Sequence, residues 1–108
     1  MSSFASSSGS VTVSASGASN PLLSNMSILL ANTEYSFSLP AGTKQFEFRS
    51  RLGAKLQIAY TSGDTGSIFK TIWSGCLYSE TGLLLTASLD IYVQGSKPND
   101  VLEILSWT

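Results

Sequence analysis

The chain contains no histidine, a single cysteine and few charged residues among its 108 positions. Zinc, copper and haem sites need converging histidine, cysteine or carboxylate ligands, so we expect no metal and no cofactor. The many serines have no histidine to act as a base, and we therefore predict that the protein is not an enzyme. One enzymatic alternative remains, although we do not favour it: a pair of carboxylates that cleaves glycosides. The candidate carboxylates are Glu47, Glu80, Asp90 and Glu103.

The lone cysteine, Cys76, cannot form a disulfide within the chain. Nothing in the sequence therefore suggests an oxidising compartment. Its neighbours Gly75 and Leu77 supply no histidine or cation that would activate the thiol. We predict a buried and inert thiol at this position.

Charge is scarce, at 12% of the residues against roughly 25% in an average domain. The net charge is −1, and the basic residues cluster only at Arg49 and Arg51, on the same face of a predicted strand as Glu47. This is too little positive charge for a nucleic-acid footprint or for electrostatic membrane attachment, so we expect neither partner. Two interpretations of the low charge stay open: a neutral surface rich in serine and threonine, or a surface covered by other copies or by a larger assembly.

Long apolar runs are also missing. The longest, Ile28–Ala31 and Leu83–Leu85, fall far short of the ~20 residues that span a bilayer. The serine-rich start, Met1–Ser10, has neither the basic region nor the apolar core of a signal peptide. We expect a soluble protein made in the cytosol.

What the chain does contain is a series of short segments that alternate between polar and apolar residues. Alternation with a period of two residues is the signature of strands with one buried and one solvated face. The clearest segments are Glu34–Leu39, Gln45–Arg51, Leu56–Tyr60 and Leu89–Gln94. Eight or nine such strands at roughly 8–12-residue spacing predict an all-β sandwich or barrel. We favour an antiparallel, jelly-roll-like β-sandwich over residues 10–108, preceded by a flexible serine-rich arm at residues 1–9.

Several individual strands are predicted along this domain. A first strand is expected at Ser10–Ala15, another at Ser27–Ala31, a short one at Leu83–Thr86 and the last at Val101–Trp107. Two predicted strands, Glu34–Leu39 and Lys44–Ser50, flank a proline–glycine turn. They form either an antiparallel hairpin or a pair that crosses between sheets. In both cases we expect one aromatic layer, composed of Tyr35, Phe37, Phe46 and Phe48.

Aromatic and apolar residues that break the alternation are the candidate binding residues. Ile68–Trp73 is apolar on both faces, with Ile72 and Trp73 at its end, and such a strand is either central or at an interface. Tyr78, Tyr92 and Trp107 fall outside the inward alternation. These aromatics are interpreted as stacking platforms for sugar rings, as subunit-interface residues, or as core at a sheet edge. Phe4 is a further candidate, as an anchor in the polar arm. The predicted interface set is Phe4, Ile72, Trp73, Tyr92 and Trp107.

The segment from Glu34 to Thr108, about two-thirds of the chain, resembles small virion proteins of tailed bacteriophages. The resemblance is carried by four stretches of the sequence: Tyr35–Lys44, Tyr78–Leu85, Ser88–Gln94 and Val101–Thr108. It implies a β-sandwich that decorates or cements a capsid, or that serves at the neck or tail, as a symmetric oligomer. It supplies no functional residue motif.

The favoured hypothesis is a capsid decoration (cement) protein, located in the virion and made in the host cytoplasm. Its partners would be itself, with a trimer favoured, and the major capsid protein of the particle. A neck, tail or fibre-attachment component is the first alternative. The second is a carbohydrate-binding β-sandwich that uses Trp73, Tyr78 or Tyr92 as a stacking platform.

Overall fold

The computed structural model of the protein describes residues 21–108. The predicted strand Ser10–Ala15, the arm at residues 1–9 and Phe4 lie outside the described residues. Within this described range, a single 3₁₀ turn, Asp64–Gly66, interrupts the strands. The strands are β1 Pro21–Ile28, β2 Tyr35–Leu39, β3 Gln45–Ser50, β4 Leu56–Ala59, β5 Lys70–Ile72, β6 Tyr78–Glu80, β7 Leu89–Gly95 and β8 Asp100–Trp107.

The strands form two four-stranded antiparallel sheets that pack face to face. The first sheet has the order β1-β8-β3-β6 and the second has the order β2-β7-β4-β5. Within these sheets β1 pairs with β8, β2 with β7, β3 with β6 and β4 with β5. This nested pairing describes one long antiparallel hairpin rolled up into a sandwich, which is the jelly-roll topology. The predicted all-β, jelly-roll-like antiparallel sandwich is confirmed.

The core lies between the sheets and is built by the alternation seen in the sequence. On β8 every second residue from Asp100 to Ser106 is buried, and on β7 Ile91 and Val93 are fully buried. Each fully buried side chain of this size contributes about 1.5–3 kcal/mol to the free energy of folding. The buried cluster comprises Ile28, Leu39, Phe46, Phe48, Leu56, Ile58, Ile72, Tyr78, Ile91, Val93, Leu102 and Ile104.

An aromatic layer forms at the centre of this core. Phe46 and Phe48 stack with ring centroids 6.1 Å apart, and Phe37 meets Phe48 edge to face at 5.6 Å. Because β2 and β3 lie in different sheets, the strands cross between the sheets and do not form a hairpin. The turn between them is tight: the Thr43 hydroxyl donates to the Pro40 carbonyl at 2.8 Å, and Gly42 adopts a φ of 90° that favours glycine.

Three details of the strand prediction are wrong. The strand expected at Ser27–Ala31 is β1, which begins earlier, at Pro21, and ends at Ile28. No strand forms at Leu83–Thr86; instead, Leu83 and Leu85 pack on the core as loop residues. The apolar segment Ile68–Trp73 contains only the three-residue strand β5, because this segment lies at the edge of the second sheet.

Candidate interaction surface

The predicted interface residues occupy different environments in the fold. Ile72 is 5% exposed and belongs to the core, because it faces Leu56 on the inner side of the second sheet. Trp107 is 8% exposed, so it offers little area to a partner. Tyr92 is half-buried between β2 and β4. Of the four that lie in the described part of the chain, Trp73 alone is largely exposed, at 67%.

Trp73 follows β5 directly, and the side chain of Lys55 lies against it. The Lys55 Nζ atom is 5.7 Å from the centroid of the indole ring, a contact worth about 0.5–1 kcal/mol at an exposed site. The register Leu56–Ile72, continued by one residue, places Lys55 opposite Trp73 on the outer side of the second sheet. The turn after Trp73 closes when Cys76 N–H donates to the Trp73 carbonyl at 3.0 Å. The indole is therefore presented on the surface in a defined position.

Trp73 belongs to a larger set of exposed apolar side chains. Single exposed apolar residues are normal in folded proteins, but seven of these lie in two stretches of the chain: Leu22, Leu23, Leu29 and Leu30 on or just after β1, and Ile68, Phe69 and Trp73 on either side of β5. The full set is Leu22, Leu23, Leu29, Leu30, Leu52, Tyr60, Ile68, Phe69, Trp73, Leu77 and Leu84. Contiguous apolar surface on a folded domain marks a site of interaction. We call Ile68, Phe69 and Trp73 the β5 apolar surface.

The β5 apolar surface adjoins a shallow cavity of about 310 Å³. Ile68 is 76% exposed and lines this cavity together with Phe69 and Tyr60. Alternation along an extended strand puts Phe69 on the same side of β5 as Thr71 and Trp73. Phe69 and Trp73 therefore project from one side of this sheet edge, whereas Ile68 lies in the loop before β5, beside a recess that a partner side chain could fill.

A second concave feature lies on the outer face of the first sheet. This groove, of about 510 Å³, is lined by Leu23 and Asn25 of β1, Glu47 and Arg49 of β3, Glu103 and Leu105 of β8, and the loop residue Leu77. The predicted shared face of Glu47 and Arg49 is confirmed by this arrangement. The groove contains no pairing of a nucleophile with a base, and its walls combine leucines with groups of both charges.

The charges in this groove neutralise one another. Arg51 Nε lies 2.8 Å from one oxygen of Glu103, and Arg49 Nε lies 3.2 Å from the other. Hydrogen bonds from Arg51 and then Arg49 lower the pKa of Glu103 below its ordinary value. The charge of Glu103 at the wall of the groove is therefore compensated by two arginines.

Tyr78 is a core residue, contrary to the expectation that it breaks the inward alternation. Its ring packs on Phe48 at 5.3 Å between centroids, and its hydroxyl donates to Glu80 Oε2 at 2.6 Å. The Tyr60 hydroxyl lies 3.2 Å away. Burial, followed by the hydrogen bonds with Glu80 and Tyr60, raises the pKa of Tyr78. Tyr78 therefore offers no exposed ring on which a sugar could stack.

Cys76 is exposed, so the prediction of a buried thiol is wrong. It lies in the turn between β5 and β6, where Gly75 adopts a φ of 78° and the chain passes over the outside of the sandwich. Residues 21–108 contain no group of three potential metal ligands. Within the same range, no helix is long and apolar enough to cross a membrane.

Sequence reasoning missed the leucines along β1. Leu22 and Leu23 precede the predicted strand Ser27–Ala31, yet they belong to β1 and are 54% and 77% exposed. The available signal was the absence of charge: no Asp, Glu, Lys or Arg occurs between Pro21 and Thr33. An uncharged stretch of this length in a surface strand indicates a surface that is not built for bulk water.

Comparison with known proteins supports the fold and nothing more specific. No protein-family model matches the chain, and no curated protein matches it. Among solved structures it is similar to a de novo designed double-stranded β-helix determined by solution NMR, with 12% sequence identity and a TM-score of 0.51. The match covers 83% of this chain and 100% of the designed protein. At this identity the similarity shows a shared all-β architecture of two packed sheets.

Proposed function

We propose that this protein is a structural, non-catalytic component of a bacteriophage particle, and specifically a capsid decoration protein. In this role it associates with copies of itself and binds the major capsid protein. It stabilises the shell by burying surface across the joints between capsid subunits. No reaction, metal or cofactor is part of the proposed role.

The fold is compatible with this role because jelly rolls recur in viral capsid proteins as well as in lectins and cupins. A rolled-up sandwich holds its outer surfaces rigidly, so binding orders few additional residues and loses little entropy. Fold similarity alone does not decide function. The proposal therefore depends on what the surface presents, together with the resemblance of Glu34–Thr108 to phage virion proteins.

The single observation that carries the proposal is the amount of apolar side chain left exposed by a well-packed core. The twelve-residue core cluster is buried to 9% exposure or less, whereas Ile68, Trp73 and Leu84 remain 76%, 67% and 90% exposed. Stable protein interfaces are enriched in tryptophan and tyrosine and depleted in charge. The β5 apolar surface supplies one exposed tryptophan, with Lys55 against its indole and Lys70 exposed within β5, and we assign it to the contact with the capsid.

Binding to particles that lack this protein tests the proposal. Purified protein is mixed with such particles, and the bound fraction is measured by co-sedimentation. Trp73→Ser combined with Ile68→Ser is expected to weaken binding at least tenfold. Leu84→Ser is the matched control, because it also removes an exposed apolar side chain but lies outside the β5 apolar surface. No binding by the natural protein, or equal binding by all variants, would contradict the proposal.

The arm is tested in the same assay. Deleting residues 2–10 removes Phe4, the predicted anchor, and is expected to weaken particle binding. Unchanged binding of this shortened protein would remove the arm from the mechanism and leave the β5 apolar surface as the contact.

A carbohydrate-binding module is the second candidate, and the exposed indole of Trp73 is the observation that favours it. Stacking of a sugar ring on this indole would change its fluorescence. A glycan array combined with tryptophan fluorescence tests this alternative, and Trp73→Ser provides the control. Binding to a defined glycan that is lost in Trp73→Ser would favour a lectin-like role over the structural one.

A further inference from the structure

Among the residues that the structure describes, strand β1 forms one edge of the first sheet, and its sequence lacks the charges and the bulge that protect such edges. It is eight residues long and pairs with β8 without a break in register. Among residues 21–108 it has no strand on its other side. Such an edge presents unpaired backbone N–H and C=O groups to any strand that approaches it. The other edge strands are shorter, with five residues in β2 and three each in β5 and β6.

The sequence of β1 does not oppose pairing with another strand. Natural edges are protected by lysine, by proline within the strand or by a β-bulge. β1 contains no charged residue, its register with β8 has no bulge, and its one proline, Pro21, is the first of the described residues. Leu22 and Leu23 are 54% and 77% exposed beside this edge. Within residues 21–108, the strand therefore combines backbone groups that no other strand pairs with apolar side chains that are exposed.

We propose that β1 pairs antiparallel with β1 of a second copy of this chain, about a two-fold axis perpendicular to the sheet. The first sheets of the two copies then form one continuous sheet. The partner is a second copy because β1 has no charge that would favour pairing with a strand of different sequence. In a two-fold contact, the two paired strands also have the same length. This inference rests on the self-association in the proposed function and identifies the surface responsible for it.

Alternation restricts the register of this pairing. In an antiparallel pair, opposite residues project to the same face of the sheet. Asn25 projects to the outer face, because it lines the groove, and Ser24 therefore projects to the inner face. Either Ser24 or Asn25 must then lie opposite its own copy if most of the strand is to pair. In these registers Leu23 packs beside Asn25 or Ser27 of the partner. This pairing gives a two-fold dimer, in place of the trimer favoured from the sequence.

Light scattering coupled to size exclusion tests the inference with a matched pair of variants. Asn25→Lys places two lysines close together across the proposed axis, and within its own chain the new lysine lies opposite Glu103 of β8. Ser36→Lys makes a comparable change on β2, the edge strand of the second sheet. We expect a dimer for the natural protein and for Ser36→Lys, and a twofold lower mass for Asn25→Lys. Far-UV circular dichroism checks that each variant is folded.

Cysteine cross-linking provides a second readout that does not depend on disrupting the contact. In a Cys76→Ser background, either Ser24→Cys or Asn25→Cys is expected to form a covalent dimer on mild oxidation, at least tenfold faster than Ser36→Cys. A dimer that survives Asn25→Lys, without cross-linking at residue 24 or 25, would overturn the β1 contact alone. A monomeric natural protein would overturn both this inference and the self-association in the proposed function. Particle binding is measured in a separate assay, so its result confirms or contradicts the capsid contact independently of the β1 contact.

Discussion

Ser50 and Asp100 are joined by a buried hydrogen bond from the serine hydroxyl to the aspartate carboxylate, where the end of β3 meets the start of β8. The same carboxylate accepts hydrogen bonds from Leu52 N–H at 3.0 Å and from Val101 N–H at 2.7 Å. The Ser50 hydroxyl in turn accepts from Ala54 N–H at 2.9 Å. One polar pair therefore fixes the turn that follows β3 to the last strand of the chain.

Replacing Asp100 with alanine is expected to destabilise the fold by about 2–4 kcal/mol, because it leaves buried donors without partners. Urea denaturation followed by circular dichroism measures the change in the free energy of unfolding. Asp90→Ala is the matched control, since Asp90 is exposed on β7 and its side chain accepts a hydrogen bond from Ser38; its loss should cost less than about 1 kcal/mol. Equal effects at the two positions would show that the Ser50–Asp100 pair has no special structural role.

The folding stability is expected to depend on pH because of the carboxylate of Glu34. This carboxylate accepts hydrogen bonds from the Thr65 hydroxyl at 2.7 Å and from Gly63 N–H at 2.9 Å. These bonds lower the pKa of Glu34 in the folded state, with the Thr65 hydroxyl contributing most. A lowered folded-state pKa adds stability that is fully present above the unfolded-state pKa and is lost as the pH falls through the folded-state pKa.

The measurement is the urea midpoint from pH 7 down to pH 3. It should decrease with acidification, and Glu34→Gln should reduce this decrease. Part of the dependence remains in that variant, because the pKa of Glu103 is also lowered, by Arg51 and Arg49. A natural protein whose midpoint is constant across this range would contradict the role assigned to both carboxylates.

Among single substitutions in the core, one in the aromatic layer is expected to lower the free energy of unfolding most. Phe48 is fully buried and contacts the rings of Phe37, Phe46 and Tyr78. Phe48→Ala should lower the free energy of unfolding by about 3–5 kcal/mol, through lost burial and the resulting cavity. The same truncation at the exposed residue Phe69 should cost less than about 1 kcal/mol, as measured by urea denaturation. A small effect at Phe48 would mean that the core does not centre on this layer.

The two tryptophans should differ in their accessibility to solvent. Trp73 is 67% exposed and Trp107 is 8% exposed, so acrylamide should quench the fluorescence of Trp73 much more strongly. The variants Trp107→Phe and Trp73→Phe each retain one tryptophan and allow the comparison. Similar quenching in the two variants would show that Trp73 is covered in solution, as it would be if the β5 apolar surface joined two copies.

The sequence predicts those parts of the fold that depend on regular alternation. β2, β3, β4, β7 and β8 were identified from inward-facing residues, of which Phe46, Phe48, Ile91 and Val93 are buried as expected. The choice between a hairpin and a sheet-crossing pair at β2 and β3 could not be made from alternation, because both arrangements bury the same face. It depends on long-range pairing of β2 with β7 and of β3 with β8.

The candidate site was predicted less well, because exposure depends on what lies opposite each residue. Ile72 and Tyr78 occupy apparently irregular positions in the sequence, yet the facing sheet covers them. Leu22 has the pattern of an inward residue, since it lies opposite the buried Ser106, but it remains 54% exposed. Trp73 is exposed, whereas the sequence left a sugar-stacking, an interface and a core position open for it, and its contact with Lys55 required the register of β4 and β5.

The most direct test of the proposed function is to locate the protein on purified particles. Phage particles are isolated from cells that produce this chain, their proteins are identified by mass spectrometry, and the chain is labelled by gold-conjugated antibody for electron microscopy. We predict that the chain is present in many copies per particle and that the label is distributed over the head. Absence of the chain from purified particles would contradict the structural role, and label confined to the neck or tail would contradict the decoration of the capsid.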